Sequence, residues 1–107
     1  MSNELTDGWI KVASTSEIPP GMMKSYPVGG KDILIANVNG NYYSIDNRCT
    51  HIGGPLARGK LAGYVVECPL HGSQFDVRTG TVVRSPAESP EPRHEVKVEG
   101  SEVLVRV

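Results

Sequence analysis

The amino-acid sequence predicts an all-β fold, an antiparallel β-sheet framework with a small lobe inserted at about residues 46–84. Three features carry this expectation. Short runs rich in Val, Ile and Tyr alternate in polarity, turn residues punctuate them closely, and no segment keeps the apolar spacing of a long helix. Residues 9–13 open the framework, with Trp9 as a packing residue. Residues 33–38 and 42–45 flank Asn39-Gly40-Asn41, whose Asn-Gly pair favours a tight hairpin. Within the lobe, residues 64–67, 74–77 and 81–83 form short strands. A Pro/Glu-rich connection over residues 86–92 leads to a second hairpin, residues 94–98 and 102–107 around Gly100. At 107 residues and 11.5 kDa the chain is expected to be a single domain, 1–107, with a modest core.

The chemistry is concentrated in Cys49-Thr50-His51 and Cys68-Pro69-Leu70-His71, which use both cysteines and two of the three histidines. A Cys/His set of this kind binds zinc or an iron–sulfur centre. In an extended step, residues two apart point to one side with alpha carbons roughly 7 Å apart. One loop therefore offers a thiolate to one metal ion and an imidazole to its neighbour, and the second loop does the same. Cys49 and Cys68 would hold one iron, and His51 and His71 the other, of a two-iron cluster. A zinc finger groups its ligands differently, as paired cysteines followed by paired histidines at wider spacing. Zinc and a Cys49 to Cys68 disulfide remain as alternatives, and the order of ligands favours iron and sulfide.

The surroundings of these ligands resemble a known family. Residues 49–56, Cys-Thr-His-Ile-Gly-Gly-Pro-Leu, and residues 68–76, Cys-Pro-Leu-His-Gly-Ser-Gln-Phe-Asp, followed by Thr79-Gly80, resemble the two cluster loops of Rieske proteins, specifically the small Rieske-type ferredoxins. The resemblance is close over residues 46–87, while the flanks match in strand pattern and length. It implies the Rieske fold of stacked antiparallel sheets, a [2Fe-2S] cluster near the tip, and Cys49, His51, Cys68 and His71 as its ligands. Respiratory-complex members carry an extra disulfide whose cysteines would fall at Gly54 and Leu70, both apolar here. Ser73 lies where a hydroxyl donates to a bridging sulfide, and Phe75 where high-potential members place a tyrosine. The expected potential is accordingly in the lower part of the Rieske range of roughly −150 to +300 mV. Ser85-Pro86-Ala87 resembles the loop that covers the cluster, with an ordinary linker as its plain alternative.

Other residues carry two readings. Gly72 lets backbone N–H groups approach sulfide, or merely turns the chain. Gly53 to Leu56 is loop structure first, with Pro55 and Leu56 as a possible dry docking rim. His94, with no ligand beside it in sequence, is read as a surface residue.

A formal net charge of −1 and the lack of a long basic run argue against nucleic acid. The first eight residues resemble no signal peptide, and no run is long and apolar enough for a membrane helix, so a cytoplasmic location is expected. The resemblance implies an electron carrier rather than an enzyme, taking one electron from an NAD(P)H- and flavin-dependent ferredoxin reductase to a terminal oxygenase. The alternative is a small Rieske subunit fixed in a stable reductase complex, such as an assimilatory nitrite reductase.

Overall fold

The computed structural model describes residues 8–50, 53–70, 72–85 and 87–106. His51 and His71, and Pro86 of the expected covering loop, lie outside the described residues. The described residues form ten strands, β1 (Ile10–Ser14), β2 (Met23–Val28), β3 (Lys31–Val38), β4 (Asn41–Asp46), β5 (Lys60–Ala62), β6 (Val65–Glu67), β7 (Gln74–Asp76), β8 (Val82–Arg84), β9 (Arg93–Glu99) and β10 (Glu102–Arg106). Among the described residues there is no α-helix, and no helix is long and apolar enough to cross a membrane. The strands form two antiparallel sheets, a six-stranded one ordered β1-β10-β9-β4-β3-β2 and a four-stranded one ordered β5-β6-β7-β8.

Turn chemistry sets the register of the larger sheet. Asn39 and Gly40 both have positive φ, 55° and 90°, and Val38 pairs with Asn41, which gives a two-residue turn of the kind that matches strand twist. Asn41 therefore belongs to β4 rather than to the loop. The same device closes β2 onto β3 through Gly29 and Gly30, with Val28 paired to Lys31. Strand β2 was not anticipated because Pro27 interrupts its pattern. It is the last strand of its sheet, and an edge strand tolerates a residue that cannot donate to the ladder.

Strand β3 organises the interior. Residues 33–38 are buried on both faces. Ile33 and Ile35 face one core with Ala13, Ile18, Val28, Val103 and Val105. Leu34, Ala36 and Val38 face a second core with Ile45, Leu56, Val66, Phe75, Val77 and both cysteines. The period of two thus splits one strand between the framework's own interior and the seam that holds the lobe. Buried Asn37 is satisfied along the way, its Nδ2 donating to the Ile18 carbonyl at 2.8 Å and its Oδ1 accepting from Gly40 N–H at 2.8 Å.

Polar contacts fasten the lobe to the framework. Tyr43 of β4 meets Tyr64 edge to face at 5.9 Å, and the Arg78 guanidinium lies 3.9 Å from the centre of the Tyr64 ring. Arg93 at the start of β9 donates from Nε to the Arg78 carbonyl at 3.0 Å. Phe75 stands at the centre of the shared core, fully buried and paired with Val66 and Val82 on its two neighbouring strands. Replacing Phe75 with Ala should lower unfolding stability by about 3–5 kcal/mol, the usual cost of emptying an aromatic core site, measured by chemical denaturation. A loss below about 1 kcal/mol would show that the lobe does not depend on this core.

Candidate metal centre

The two motif loops close in the same way although their sequences differ. Cys49 N–H donates to the Gly54 carbonyl at 2.8 Å, and Gly53 N–H donates back to the Cys49 carbonyl at 2.8 Å. In the second loop Cys68 N–H donates to the Ser73 carbonyl at 2.7 Å, and Gly72 N–H to the Cys68 carbonyl at 3.2 Å. Gly53 and Gly72 stand at equivalent places and both have φ of +76°, a region that costs a side-chain-bearing residue on the order of 1–2 kcal/mol. Turning the chain is therefore a role that Gly72 does fill. Each loop bends back on its cysteine.

Both cysteines are buried, and both belong to the core shared by lobe and framework. Gly54 of the first loop reaches the second, where a Cβ on it would come 3.0 Å from Cys68 Sγ and 2.9 Å from Leu70 Cδ1. The loops are thus packed directly together, and positions 54 and 70 face one another as the resemblance implied. Leu56 is fully buried, which corrects the reading of Leu56 as docking rim. It anchors the 3-10 turn Leu56–Arg58 to the core, while Pro55 and Leu70, the latter 55% exposed, stand outside.

Ser73 is buried, and its Oγ accepts a hydrogen bond from Ala87 N–H at 3.0 Å. That contact leaves the hydroxyl proton for a second acceptor, in keeping with a donor to sulfide. Ala87 is itself buried and is tied to the second loop by this bond. His94 differs from expectation. It is only 8% exposed, and its Nε2 lies 2.6 Å from Asp46 Oδ1, so it pins β9 to the end of β4 just before the first loop. The cause is long-range pairing of Ser44 with His94, which the local sequence does not display.

Thr50 within the first motif, and Asn47 and Glu91 outside the motifs, also build the site. Asn47 takes hydrogen bonds from Leu56 N–H on its carbonyl and Ala57 N–H on Oδ1, both at 2.7 Å. It donates from its backbone N–H to the Asp32 carbonyl and from Nδ2 to Asp32 Oδ2. One buried amide thus ties the first loop to β3. Thr50 is held through both its groups, N–H to Glu91 Oε2 at 2.9 Å and Oγ1 to the Ser89 carbonyl at 2.7 Å. Glu91 is 3% exposed, and among the described residues its Oε1 is buried without a hydrogen-bond partner. An acidic residue in a Pro/Glu-rich linker gives no local signal of such burial.

Two buried sulfurs on matched, directly packed loops suit a group that needs thiolates from both sides at once. The family comparison agrees, since the Rieske [2Fe-2S] domain matches residues 8–105. The chain belongs to the Rieske [2Fe-2S] domain family. The group of this family is a [2Fe-2S] cluster. Relatives include the ferredoxin component of a naphthalene 1,2-dioxygenase system from Pseudomonas aeruginosa, 37% identical over 94% of this chain and 97% of that protein. Another is the ferredoxin component of biphenyl 2,3-dioxygenase from Rhodococcus jostii, 39% identical over 89% of each chain. Among solved structures, the ferredoxin of carbazole 1,9a-dioxygenase from Nocardioides aromaticivorans is similar at a TM-score of 0.90 and 31% identity, covering 94% of this chain and 98% of that one. The fold expected from the sequence and the fold of the Rieske ferredoxins agree.

Burial pushes the Glu91 carboxyl up to about 7 from 4.5, with the Thr50 N–H opposing and nearby Asp46 adding to the rise. Asp46 in turn faces His94 and Lys31. An acid whose folded-state pKa is raised binds more protons folded than unfolded, so stability falls as pH climbs from about 4.5 through about 7. Glu91→Gln, which cannot ionise, should therefore raise the melting temperature relative to the parent more at about pH 8 than at about pH 5.5. Thermal unfolding of the intact protein at the two pH values checks this, and an equal offset at both would contradict it.

Proposed function

We propose that this Rieske protein is a soluble electron-transfer ferredoxin, taking one electron from an NAD(P)H- and flavin-dependent reductase to a terminal ring-hydroxylating oxygenase in the cytoplasm. The observation that supports it most is the pair of equivalent loops, each presenting a buried cysteine to one shared core. In this reading residues 1–107 act as one domain, Cys49 and Cys68 hold one iron, and His51 and His71 hold the other. Bound there, the [2Fe-2S] cluster supplies a one-electron couple whose potential is raised by exchanging two anionic thiolates for neutral imidazoles.

The chain's own residues do the rest. The shared core keeps water from the sulfurs, Ser73 offers a hydroxyl proton beside the second loop, and Phe75 withholds a second hydroxyl. Exposed Leu70, next to a histidine ligand, and exposed Pro55 give the tip an apolar edge on which a partner can close. The relatives support the partner assignment, because they are named as ferredoxin components of dioxygenase systems. One similar structure, at 35% identity and a TM-score of 0.88, is of a complex between an oxygenase and a ferredoxin of carbazole 1,9a-dioxygenase.

Electron paramagnetic resonance of the dithionite-reduced protein should give a lower average g value than an all-thiolate cluster. His71→Cys should abolish that spectrum or depress the midpoint potential strongly, and an unchanged spectrum would remove His71 from the ligand set. Voltammetry should place the parent's midpoint in the lower part of the range of about −150 to +300 mV.

A further inference from the structure

The matched loops differ at one place that bears on how each is held. The residue after the second cysteine is Pro69, whose ring fixes φ and which carries no N–H. The residue after the first is Thr50, whose φ is free to vary and whose N–H needs a partner. That partner is Glu91 Oε2 at 2.9 Å, 41 residues further along the chain and just before β9. Its backbone is fixed in turn, Glu91 N–H donating to the Gly80 carbonyl at 2.7 Å in the turn between β7 and β8. Thr50 Oγ1 adds the second point of attachment, on the Ser89 carbonyl.

Burying a carboxyl for one hydrogen bond is costly, and here the other oxygen is left without a partner among the described residues. The peptide it grips is the one that joins Cys49 to Thr50. Holding that peptide plane fixes ψ of Cys49 and φ of Thr50, the torsions that decide how the loop tip leaves the first cysteine.

We infer that Glu91 is a positioning residue of the metal centre: its carboxyl clasps the Cys49–Thr50 peptide and does for the first ligand loop what the Pro69 ring does for the second. The inference rests on the ligand assignment proposed above. Residues 87–91 then act as one strap across both loops, gripping Ser73 through Ala87 N–H and Thr50 through Ser89 and Glu91.

The test compares the parent holoprotein with Glu91→Ala and Glu91→Gln. Glutamine keeps an oxygen that accepts the Thr50 N–H, whereas alanine removes it. Glu91→Ala should release iron to a chelator at least about tenfold faster, broaden the reduced paramagnetic spectrum, and speed hydrogen exchange in the peptide containing Thr50. Glu91→Gln should stay within about twofold of the parent in all three. A role confined to fold stability would instead accelerate exchange in β9 and β10 as well and leave the line shape unchanged. Should Glu91→Ala not fold, Glu91→Met fills the volume without accepting a hydrogen bond and carries the same comparison.

Equal behaviour of parent and Glu91→Ala in iron release and Thr50 exchange would overturn the inference, as would a glutamine variant as labile as the alanine one. Iron and acid-labile sulfide analysis of the parent keeps the two claims apart. A parent that binds no cluster sinks the ligand assignment, while hydrogen exchange at Thr50 still reports on the clasp.

Discussion

The centre depends on two short loops closing into the same backbone ring around a cysteine. Each ring is made by a cysteine N–H reaching five residues forward and a glycine N–H reaching four residues back, with that glycine in the left-handed region. The hydrogen bonds satisfy groups that burial would otherwise strand. They also stiffen the backbone around each cysteine. A loop held only by its metal would have to be ordered by the metal, at the entropic cost of fixing each residue. Here backbone hydrogen bonds share in fixing the cysteines.

Holding the two rings against each other is the task of the shared core. Because β3 is buried on both faces, its even-numbered apolar residues hold the lobe while its odd-numbered ones belong to the framework's own interior. A change in one core is therefore felt in the other through a single strand. Gly54 lets the first loop approach Cys68 Sγ and Leu70 without a side chain between them, so the loops pack as a unit. That unit then meets the framework through Asn47, the Tyr43–Tyr64 contact and the Arg93–Arg78 hydrogen bond.

What the sequence made legible was local. The residues around the two cysteines that resemble the Rieske family, the Asn39-Gly40 turn and the alternating runs around β3, β4, β9 and β10 each carry their physics within a few residues. What escaped was set by distant partners. Edge strand β2 hides behind Pro27, though Gly29-Gly30 was a usable hairpin signal. Strand β5, only three residues long, exists because β6 pairs with it. His94 looked like a leftover surface residue because Asp46 is 48 positions away. Leu56 looked like rim because its burial against the shared core is a tertiary fact. Asn47, Thr50 and Glu91 read as unremarkable polar residues for the same reason.

The polar residues that escaped share a function in the architecture. Asn47 ties the start of the first loop to β3, and Glu91 with Ser89 ties its middle to the segment before β9. The second loop has Pro69 in its chain and, among the described residues, the Ser73–Ala87 bond outside it. This asymmetry follows from topology. The second loop lies between two strands of the small sheet, β6 and β7, which clamp both its ends. The first loop connects β4 of the large sheet to β5 of the small one, so its ends belong to different sheets and no ladder pairs them. Locally it is closed by the isolated bridge of Arg48 with Pro55 and by the backbone bonds of Cys49, Gly53 and Asn47. Side-chain hydrogen bonds from β3 and from the strap supply the restraint that a hairpin would have given, and a buried carboxyl is one of their costs.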